Sequence, residues 1–272
     1  MLSGVQLRVV PLESILPHEI ADPGREERIE RRIAVDGLLR DPLLVGSVAG
    51  VDDYILLDGT NRQVALERLG LPLALVQVID YTDPGAIDLR TWCHSAPITA
   101  AGLAGDARRV PGLEIMPLSP PDARDALAAS DTLAVILDPH RRFVVTTTGT
   151  QAERVAGLRR FVDLYEHHMT RVDCDVGALE EQDGTRADGE DGALIAFPPM
   201  TRSQVVTRAT AGLHIPAGIT RHVILGGRAL RVNLPLDVLA LPDEMRANEM
   251  LTRHIAALHP RLYGEPTVLF DS

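Results

Sequence analysis

The segment from Tyr54 to Gly70, YILLDGTNRQVALERLG, places a carboxylate, a glycine turn and an arginine within five residues of one another. An apolar run stops at Asp58-Gly59, and a pattern typical of a helix follows as far as Gly70. A helix that opens directly after a glycine turn presents free backbone N–H groups and the positive end of its dipole, which suits a phosphate. The segment therefore predicts a strand, a turn and a helix with a phosphate-binding start.

Side chains of this segment add chemistry to the turn. Asp58 at the end of the strand can hold Mg²⁺, and Arg62 in the first helical turn can clamp phosphate oxygens. The backbone of Gly59 and the polar side chains of Thr60 and Asn61 complete the candidate cradle. An ordinary strand-turn-helix connection is the alternative, because Asp-Gly is a common turn pair and Thr60 or Asn61 can simply cap the helix.

The composition is that of a globular protein large enough for two small domains. The chain has 272 residues, of which 45% are apolar and 24% are charged. Its 27 basic residues are all arginines, which excludes a Walker-type phosphate lysine and Schiff-base chemistry. The net charge of −11 and the lack of a basic patch interleaved with aromatic residues argue against nucleic acid as a partner.

Several further patterns bear on location and on metal or disulfide sites. Cys93 and Cys174 show neither metal-ligand spacing nor a disulfide framework, so we expect buried or incidental thiols. The acidic stretch 173–191 lacks the ordered spacing of an EF-hand, so we expect a loop there. The N-terminal residues do not resemble a signal peptide, and no apolar run reaches the length of a membrane span. We therefore expect a cytoplasmic protein.

The elements that must position the candidate turn follow from apolar periodicity and from the placement of prolines. The predicted helices cover 25–35, 86–94, 122–129, 150–168 and 201–212, and the predicted strands cover 41–45, 54–57, 73–78, 132–137, 142–147 and 193–197. This mixture of strands and helices predicts an α/β or α+β fold.

Residues 12–81, with the box from Gly59 to Arg62, resemble the ParB/sulfiredoxin superfamily, in which a Gly-x-x-Arg box binds nucleotide phosphates. Within that superfamily the chain is most similar to the free L-serine kinases of the SerK and SbnI type, which transfer a phosphate from ADP or ATP to free serine. The likeness covers about the first 95 residues and again 193–239. It also rests on Leu16-Pro17-His18-Glu19, on Thr91-Trp92-Cys93-His94, and on the stretches 197–201, 220–224 and 230–236.

The resemblance implies a division into two domains. Residues 1–95 would form a ParB/sulfiredoxin-like, nucleotide-binding catalytic domain. Residues 96–272 would form a second α/β domain that contributes residues binding the acceptor. The implied reaction uses ATP or ADP as the phosphate donor, Mg²⁺ as the cofactor and free L-serine as the acceptor.

The resemblance also implies roles for individual side chains. Glu19 is implied as the catalytic base, because a carboxylate must take the proton of the acceptor hydroxyl. The chemistry of phosphoryl transfer, rather than the resemblance, adds Asp58 as a second catalytic residue and as the metal ligand. The residues implied in substrate binding are Trp92, Thr220, Arg221 and His222.

One departure from the family pattern leaves alternatives open. The kinases of this group carry two histidines where this chain has Thr60 and Asn61. These replacements still hydrogen-bond a phosphate, but they offer no ring that can carry charge or shuttle a proton. A catalytically inactive, ligand-sensing relative is therefore one alternative, and a ParB-like nucleotide-dependent DNA-binding regulator is another. A sulfiredoxin-like reductase is excluded, because that chemistry needs a cysteine in the turn.

Overall fold

A computed structural model describes residues 5–119, 122–173 and 192–261. By internal contacts the chain forms two compact units. The first consists of the chain up to Leu16, Ala21–Asp88 and the chain from Ile224 onward, and the second consists of Pro17–Ile20 and Leu89–Val223. This grouping differs from the single boundary at residue 95 suggested by the sequence, because a C-terminal segment packs with the N-terminal sheet.

The first unit is built on a five-stranded sheet with the strand order β1-β6-β4-β5-β2. Its strands are β1 (Gln6–Pro11), β2 (Ile15–Leu16), β4 (Leu43–Val48), β5 (Val51–Asp58) and β6 (Leu73–Asp80), while β3 (Leu38–Leu39) pairs separately with β14 (Leu234–Pro235). The β6 strand reads LALVQVID and is buried from Leu73 to Ile79. Such an apolar run is typical of a strand covered on both faces.

Helices of the first unit cover this sheet. They are α1 (Pro23–Asp36), α2 (Thr60–Arg68), α7 (Leu236–Leu239) and α8 (Glu244–Ala257), with a 3₁₀ turn at Leu12–Ser14. Leu39, Leu66, Leu75, Leu234 and Leu239 belong to one buried cluster, so the C-terminal segment completes the N-terminal core.

The outer strand of this sheet is protected by a side chain from the C-terminal helix. The Asn248 carboxamide of α8 accepts a hydrogen bond from Val9 N at 2.9 Å and donates one to Val9 O at 2.7 Å. This pair reproduces the pattern that a neighbouring strand would make. It satisfies backbone groups of β1 that would otherwise invite pairing with another chain.

The second unit contains a seven-stranded sheet with the order β11-β7-β12-β9-β10-β8, and β13 pairs with β7. Its strands are β7 (Ile87–Ala96), β8 (Glu114–Pro117), β9 (Thr132–Leu137), β10 (Arg142–Thr146), β11 (Thr170–Asp173), β12 (Ala193–Ala196) and β13 (Thr220–Ile224). Its helices are α3 (Ala100–Ala107), α4 (Ala123–Ala128), α5 (Gln151–Val162) and α6 (Arg202–Thr210), with a 3₁₀ turn at Glu166–His168. Capping boxes at Thr150 and Thr201 begin α5 and α6.

Most of the predicted elements are confirmed, including the strand-turn-helix at Asp58-Gly59. The predicted helix 86–94 is wrong, because Ile87–Ala96 is a strand that pairs with β11 and β12. The apolar pattern of a short segment is compatible with a strand as well as with a helix. Pairing with neighbouring strands therefore decided that this segment is a strand. The predicted helix 150–168 ends earlier, at Val162.

Cys93 is fully buried in β7, which agrees with one of the two expectations for it, but the prediction that it is a thiol is wrong, because it is disulfide-bonded. Spacing along the chain does not reveal which strands the fold places side by side, and that placement decides disulfide geometry. Cys174 and most of the acidic stretch expected to form a loop, 174–191, lie outside the described residues. Within the described ranges, no helix is both long enough and apolar enough to cross a bilayer.

Candidate active-site residues

The turn between β5 and α2 has the predicted geometry. Gly59 is the N-cap of α2 with φ +113°, a left-handed conformation that favours glycine. A Cβ atom there would lie 3.0 Å from Arg62 Nη2 and 3.3 Å from Leu43 Cγ, so space also requires glycine. Gly59 O accepts hydrogen bonds from Arg62 N at 2.8 Å and Gln63 N at 2.9 Å, which closes the first helical turn. The N–H groups before them have no acceptor within the helix.

Arg62 is held beside the Asp58 carboxylate. Its Nη2 donates to Asp58 Oδ2 at 3.0 Å, and its Nη1 donates to Asp41 O at 3.2 Å. Burial lowers the pKa of Arg62, while the charge of Asp58 acts in the opposite direction. Arg228 forms a second ion pair with the same Asp58 oxygen. The sequence reasoning missed Arg228, although the glycines that precede it, Gly226-Gly227, were a usable signal.

The polar residues of the turn differ in their contacts. Asn61 Oδ1 accepts a hydrogen bond from Asp22 N at 2.8 Å, so its carboxamide oxygen holds the residue that caps α1. Thr60 is half-buried at the first position of α2. The Thr60 hydroxyl therefore fits the predicted cradle, whereas Asn61 also has a structural contact.

The candidate base Glu19 lies in the second unit, in the short segment Pro17–Ile20. Ile215 anchors this segment, because its N–H donates to His18 O and its carbonyl accepts from Ile20 N, each at 2.9 Å. Glu19 Oε2 accepts a hydrogen bond from Gly218 N at 2.9 Å. Glu19 Oε1 accepts hydrogen bonds from Ile219 N at 3.2 Å and from Thr220 N at 2.7 Å. The turn before β13 therefore surrounds the carboxylate with backbone N–H groups.

Thr220 links Glu19 to two histidines. Its hydroxyl donates to Glu19 Oε1 at 2.6 Å and lies 2.7 Å from His18 Nε2. Because the single hydroxyl proton points at the carboxylate, His18 Nε2 must carry a proton, and its N–H donates a hydrogen bond to Thr220 Oγ1. The His18 ring is 2% exposed and meets the His222 ring edge to face at 5.6 Å. The structure thus brings together Glu19, Thr220 and His222, and it adds His18.

Trp92 and Arg221 form a separate pair. The Arg221 guanidinium carbon lies 4.3 Å from the centroid of the Trp92 ring, a cation–π contact. Arg221 Nη1 also pairs with Asp173 Oδ1 at 2.5 Å. Side chains alternate along β13, so Arg221 points away from the face shared by Thr220 and His222. The four predicted substrate-binding residues therefore divide into two sets.

A buried network lies behind the turn that surrounds Glu19. His94 Nε2 donates to Gly218 O at 3.0 Å, and His94 Nδ1 lies 3.2 Å from the Tyr165 hydroxyl. Burial lowers the pKa of His94 to about 4 and raises that of Tyr165. Gly218 is therefore held through its N–H by Glu19 and through its carbonyl by His94. The sequence reasoning used the stretch containing His94 only for its tryptophan.

Comparison with known proteins decides the family. No protein-family model matches the chain. The ATP-dependent L-serine kinase of Staphylothermus marinus is 32% identical over 238 residues, which is 85% of this chain and 90% of that protein. The ATP-dependent L-serine kinase SbnI of Staphylococcus aureus is 25% identical over 248 residues, covering 88% of this chain and 86% of its own length.

The chain belongs to the L-serine kinase family. The fold agrees with this assignment. A solved structure of a free serine kinase in complex with AMP superposes with a TM-score of 0.71 at 20% identity, covering 87% of this chain and 95% of the other. That likeness confirms the predicted mixed α/β fold.

As a kinase of this family, the chain offers a carboxylate for Mg²⁺ at the donor turn. The Asp58 side chain is 46% exposed at the end of β5. In the part of the chain that the structure describes, no group of three or more His, Cys, Asp or Glu forms a dedicated metal cage. Mg²⁺ usually binds through one or two carboxylates together with substrate phosphates and water. A single exposed carboxylate beside a helix start that suits a phosphate is compatible with this mode of Mg²⁺ binding.

The buried His94 predicts a pH-dependent stability. Because its folded pKa of about 4 lies below the unfolded value near 6.5, the unfolded chain binds more protons between these values. The free energy of unfolding should fall by up to about 1.4 kcal/mol per pH unit as the pH drops through this window. Above the window His94 is neutral in both states, and this loss of stability is absent. Urea denaturation of the wild type and His94→Gln at pH 7 and pH 5 measures the effect. The stability loss between these pH values should be about 2 kcal/mol smaller in the variant. Equal losses would contradict the prediction.

Proposed function

We propose that this protein transfers the terminal phosphoryl group of a nucleotide to the hydroxyl of free L-serine, producing O-phospho-L-serine. Membership of the L-serine kinase family carries this proposal, because the match to a kinase 32% identical extends over most of both chains. The chain is accordingly a phosphotransferase that acts on an alcohol group. The two relatives are both named as ATP-dependent, which favours ATP over ADP as the donor.

The donor phosphates are bound at the start of α2 in the first unit. The N–H groups from Gly59 to Asn61, the Thr60 hydroxyl and the Arg62 guanidinium supply donors for phosphate oxygens. Asp58 would hold Mg²⁺, which when bound would neutralise charge on the donor. Phosphoryl transfer depends mainly on positioning and on such electrostatic stabilisation. Arginine and backbone amides therefore suffice in a chain without lysine.

The acceptor is bound in the second unit, where Glu19, Thr220 and His222 converge. Glu19 takes the proton of the serine hydroxyl. That hydroxyl takes the place of the Thr220 hydroxyl, which now donates to Glu19 Oε1 at 2.6 Å. The backbone N–H groups on Glu19 keep the carboxylate in place during this exchange. Trp92 and Arg221 pair with each other away from the face shared by Thr220 and His222, so the proposed acceptor site consists of Glu19, Thr220 and His222.

Phosphorus NMR tests the function directly. The protein is incubated with Mg²⁺, either ATP or ADP, and one of L-serine, L-threonine or L-homoserine. We expect a phosphomonoester signal with L-serine and ATP, and no such signal when serine is left out. Absence of phosphoserine under all conditions in which an active family member produces it would contradict the proposal. Titration calorimetry that detects nucleotide and serine without product would instead identify the inactive, ligand-sensing alternative.

Other expectations from the sequence remain predictions. We propose a cytoplasmic location, where nucleotides and free amino acids are available. We also propose that nucleic acid is not a partner, given the net charge of −11. Retention on heparin at low salt tests the second of these, and tight retention would support a DNA-binding role instead.

A further inference from the structure

Two arginines converge on one carboxylate oxygen at the donor turn. Arg62 and Arg228 both contact Asp58 Oδ2, although they lie far apart in the sequence. The three side chains carry one net positive charge. The charge of Arg228 also acts to lower the pKa of Arg62, so the two guanidinium groups repel one another. A single exposed carboxylate needs only one guanidinium, so the second arginine is more than this ion pair requires, and the Asp41 carboxylate also acts on Arg62 and offsets part of the positive charge.

The segment that carries Arg228 is fixed to the first sheet by Gln77, a residue of β6 that is 1% exposed. Gln77 Nε2 donates to Gly227 O at 2.9 Å, and Gln77 Oε1 accepts from Ala229 N at 2.8 Å. The residues on both sides of Arg228 are thereby tied to one buried amide. A buried polar side chain that satisfies its oxygen and its nitrogen in this way fixes the backbone strongly. Arg228 is therefore presented from a fixed backbone.

Asp41 provides a second anchor and joins the two arginine segments. Its carboxylate accepts a hydrogen bond from Arg231 N at 2.7 Å, while its backbone carbonyl accepts from Arg62 Nη1 at 3.2 Å. Arg231 has φ +55°, a left-handed conformation that is unfavourable for a non-glycine residue. The fold maintains this conformation where the segment passes the donor turn, as expected at sites where position matters more than local stability.

From this arrangement we propose that Arg228 is a second phosphate-binding arginine of the donor site. It acts with Arg62 on the same phosphate group, and the Asp58 carboxylate competes with phosphate oxygens for both guanidinium groups. Binding of Mg²⁺ to Asp58 would relieve that competition. This inference rests on the proposed function for the identity of the ligand. The chemistry that it requires is a phosphate or pyrophosphate anion.

The first test compares Arg228→Ala with Arg253→Ala by titration calorimetry. Arg253 is an exposed arginine of α8, paired with Glu249 across one helical turn, and controls for the loss of one surface charge in the same unit. With ADP and with inorganic pyrophosphate, Arg228→Ala should bind about 10- to 100-fold more weakly than the wild type, the range for a lost hydrogen bond to a charged group. Arg253→Ala should stay within about twofold of the wild type. Equal affinities of Arg228→Ala and the wild type would overturn the proposal.

A double-mutant cycle checks that both arginines serve one anion. If Arg62 and Arg228 bind the same phosphate, the effects of Arg62→Ala and Arg228→Ala on ADP affinity should not add, because the sites are coupled. Strict additivity would overturn the shared-phosphate assignment. Thermal unfolding of each variant without ligand verifies that the fold is retained, and Arg228→Gln, which keeps most of the stem, replaces any variant that unfolds early.

A third measurement tests the competition by Asp58. In buffer without Mg²⁺, Asp58→Asn should bind pyrophosphate about 3- to 10-fold more tightly than the wild type, because a neutral amide releases both guanidinium groups. The gain should disappear in the Asp58→Asn/Arg228→Ala double variant. Unchanged or weaker binding by Asp58→Asn would overturn the competition.

These binding measurements do not depend on turnover. Pyrophosphate or ADP binding that depends on Arg228 in a protein without kinase activity would refute the proposed function and support this inference. Kinase activity together with unchanged ADP and pyrophosphate affinity in Arg228→Ala would support the proposed function and refute this inference.

Discussion

Replacing Glu19 by glutamine is expected to lower the turnover number for serine phosphorylation by about 10²- to 10⁴-fold, the usual contribution of a general base. The uncharged amide cannot accept the proton of the serine hydroxyl. Both Glu19 oxygens accept backbone hydrogen bonds from the turn at Gly218. The glutamine N–H₂ group would face one of these N–H donors and could not accept its hydrogen bond. ADP affinity should remain within about twofold of the wild type, because the proposed donor residues belong to the other unit.

Steady-state kinetics with L-serine, together with calorimetry for ADP, separate these effects. Glu13→Gln is the matched control, because Glu13 is an exposed glutamate of the 3₁₀ turn Leu12–Ser14 and loses the same charge. We expect Glu13→Gln to behave as the wild type in both measurements. Glu19→Gln with near wild-type turnover would remove Glu19 from the chemistry. It would leave the carboxylate as a structural acceptor for the turn.

Replacing Gly218 by alanine is expected to destabilise the protein by about 2–5 kcal/mol, combining the cost of a left-handed non-glycine residue with that of overpacking. Gly218 has φ +76°, and a Cβ atom there would lie 1.8 Å from Arg171 Nε and 2.7 Å from Arg171 Cδ. Arg171 must therefore move. The Gly218 peptide would also shift against Glu19 and His94, which hold its N–H and its carbonyl. Turnover should fall together with stability.

Gly105→Ala provides the matched control in the same unit. Gly105 lies within α3 (Ala100–Ala107), and a Cβ atom there would meet nothing within 4 Å. The alanine should stabilise the protein by about 0.5–1 kcal/mol through its helix propensity, so the two glycine substitutions should have opposite signs. Urea denaturation at pH 7 measures both free energies of unfolding. A Gly218→Ala variant as stable as the wild type would show that the turn accommodates a side chain.

The donor turn could be predicted from the sequence because its geometry is local. An apolar strand, the pair Asp58-Gly59 and a helical pattern up to Gly70 determine the strand, the left-handed glycine and the exposed helix start. The predicted helix starts at 150 and 201 agree with the structure for the same reason, since the capping box found at each involves residues within one helical turn. The ion pair between Asp58 and Arg62 was not predicted, although it is local too, because it joins the end of the strand to the first turn of the helix.

The strand β7 shows where local patterning failed. The stretch from Ile87 to Ala96 became a strand because β11 and β12 pair with it, and neither partner is adjacent in the sequence. A short segment with mixed periodicity contains too little information to choose between helix and strand, so tertiary hydrogen bonding made the choice.

By itself the sequence determined the donor turn, the mixed α/β fold and the kinase family, because these depend on local patterns and on motif likeness. Only the tertiary structure decided that Arg228 reaches Asp58 across 170 residues and that Thr220 reaches Glu19 across 201 residues. Side chains this far apart meet only after the C-terminal segment packs on the first sheet and Pro17–Ile20 joins the second unit. Those placements arise from the burial of apolar surface shared by distant segments, which no single stretch of the chain encodes.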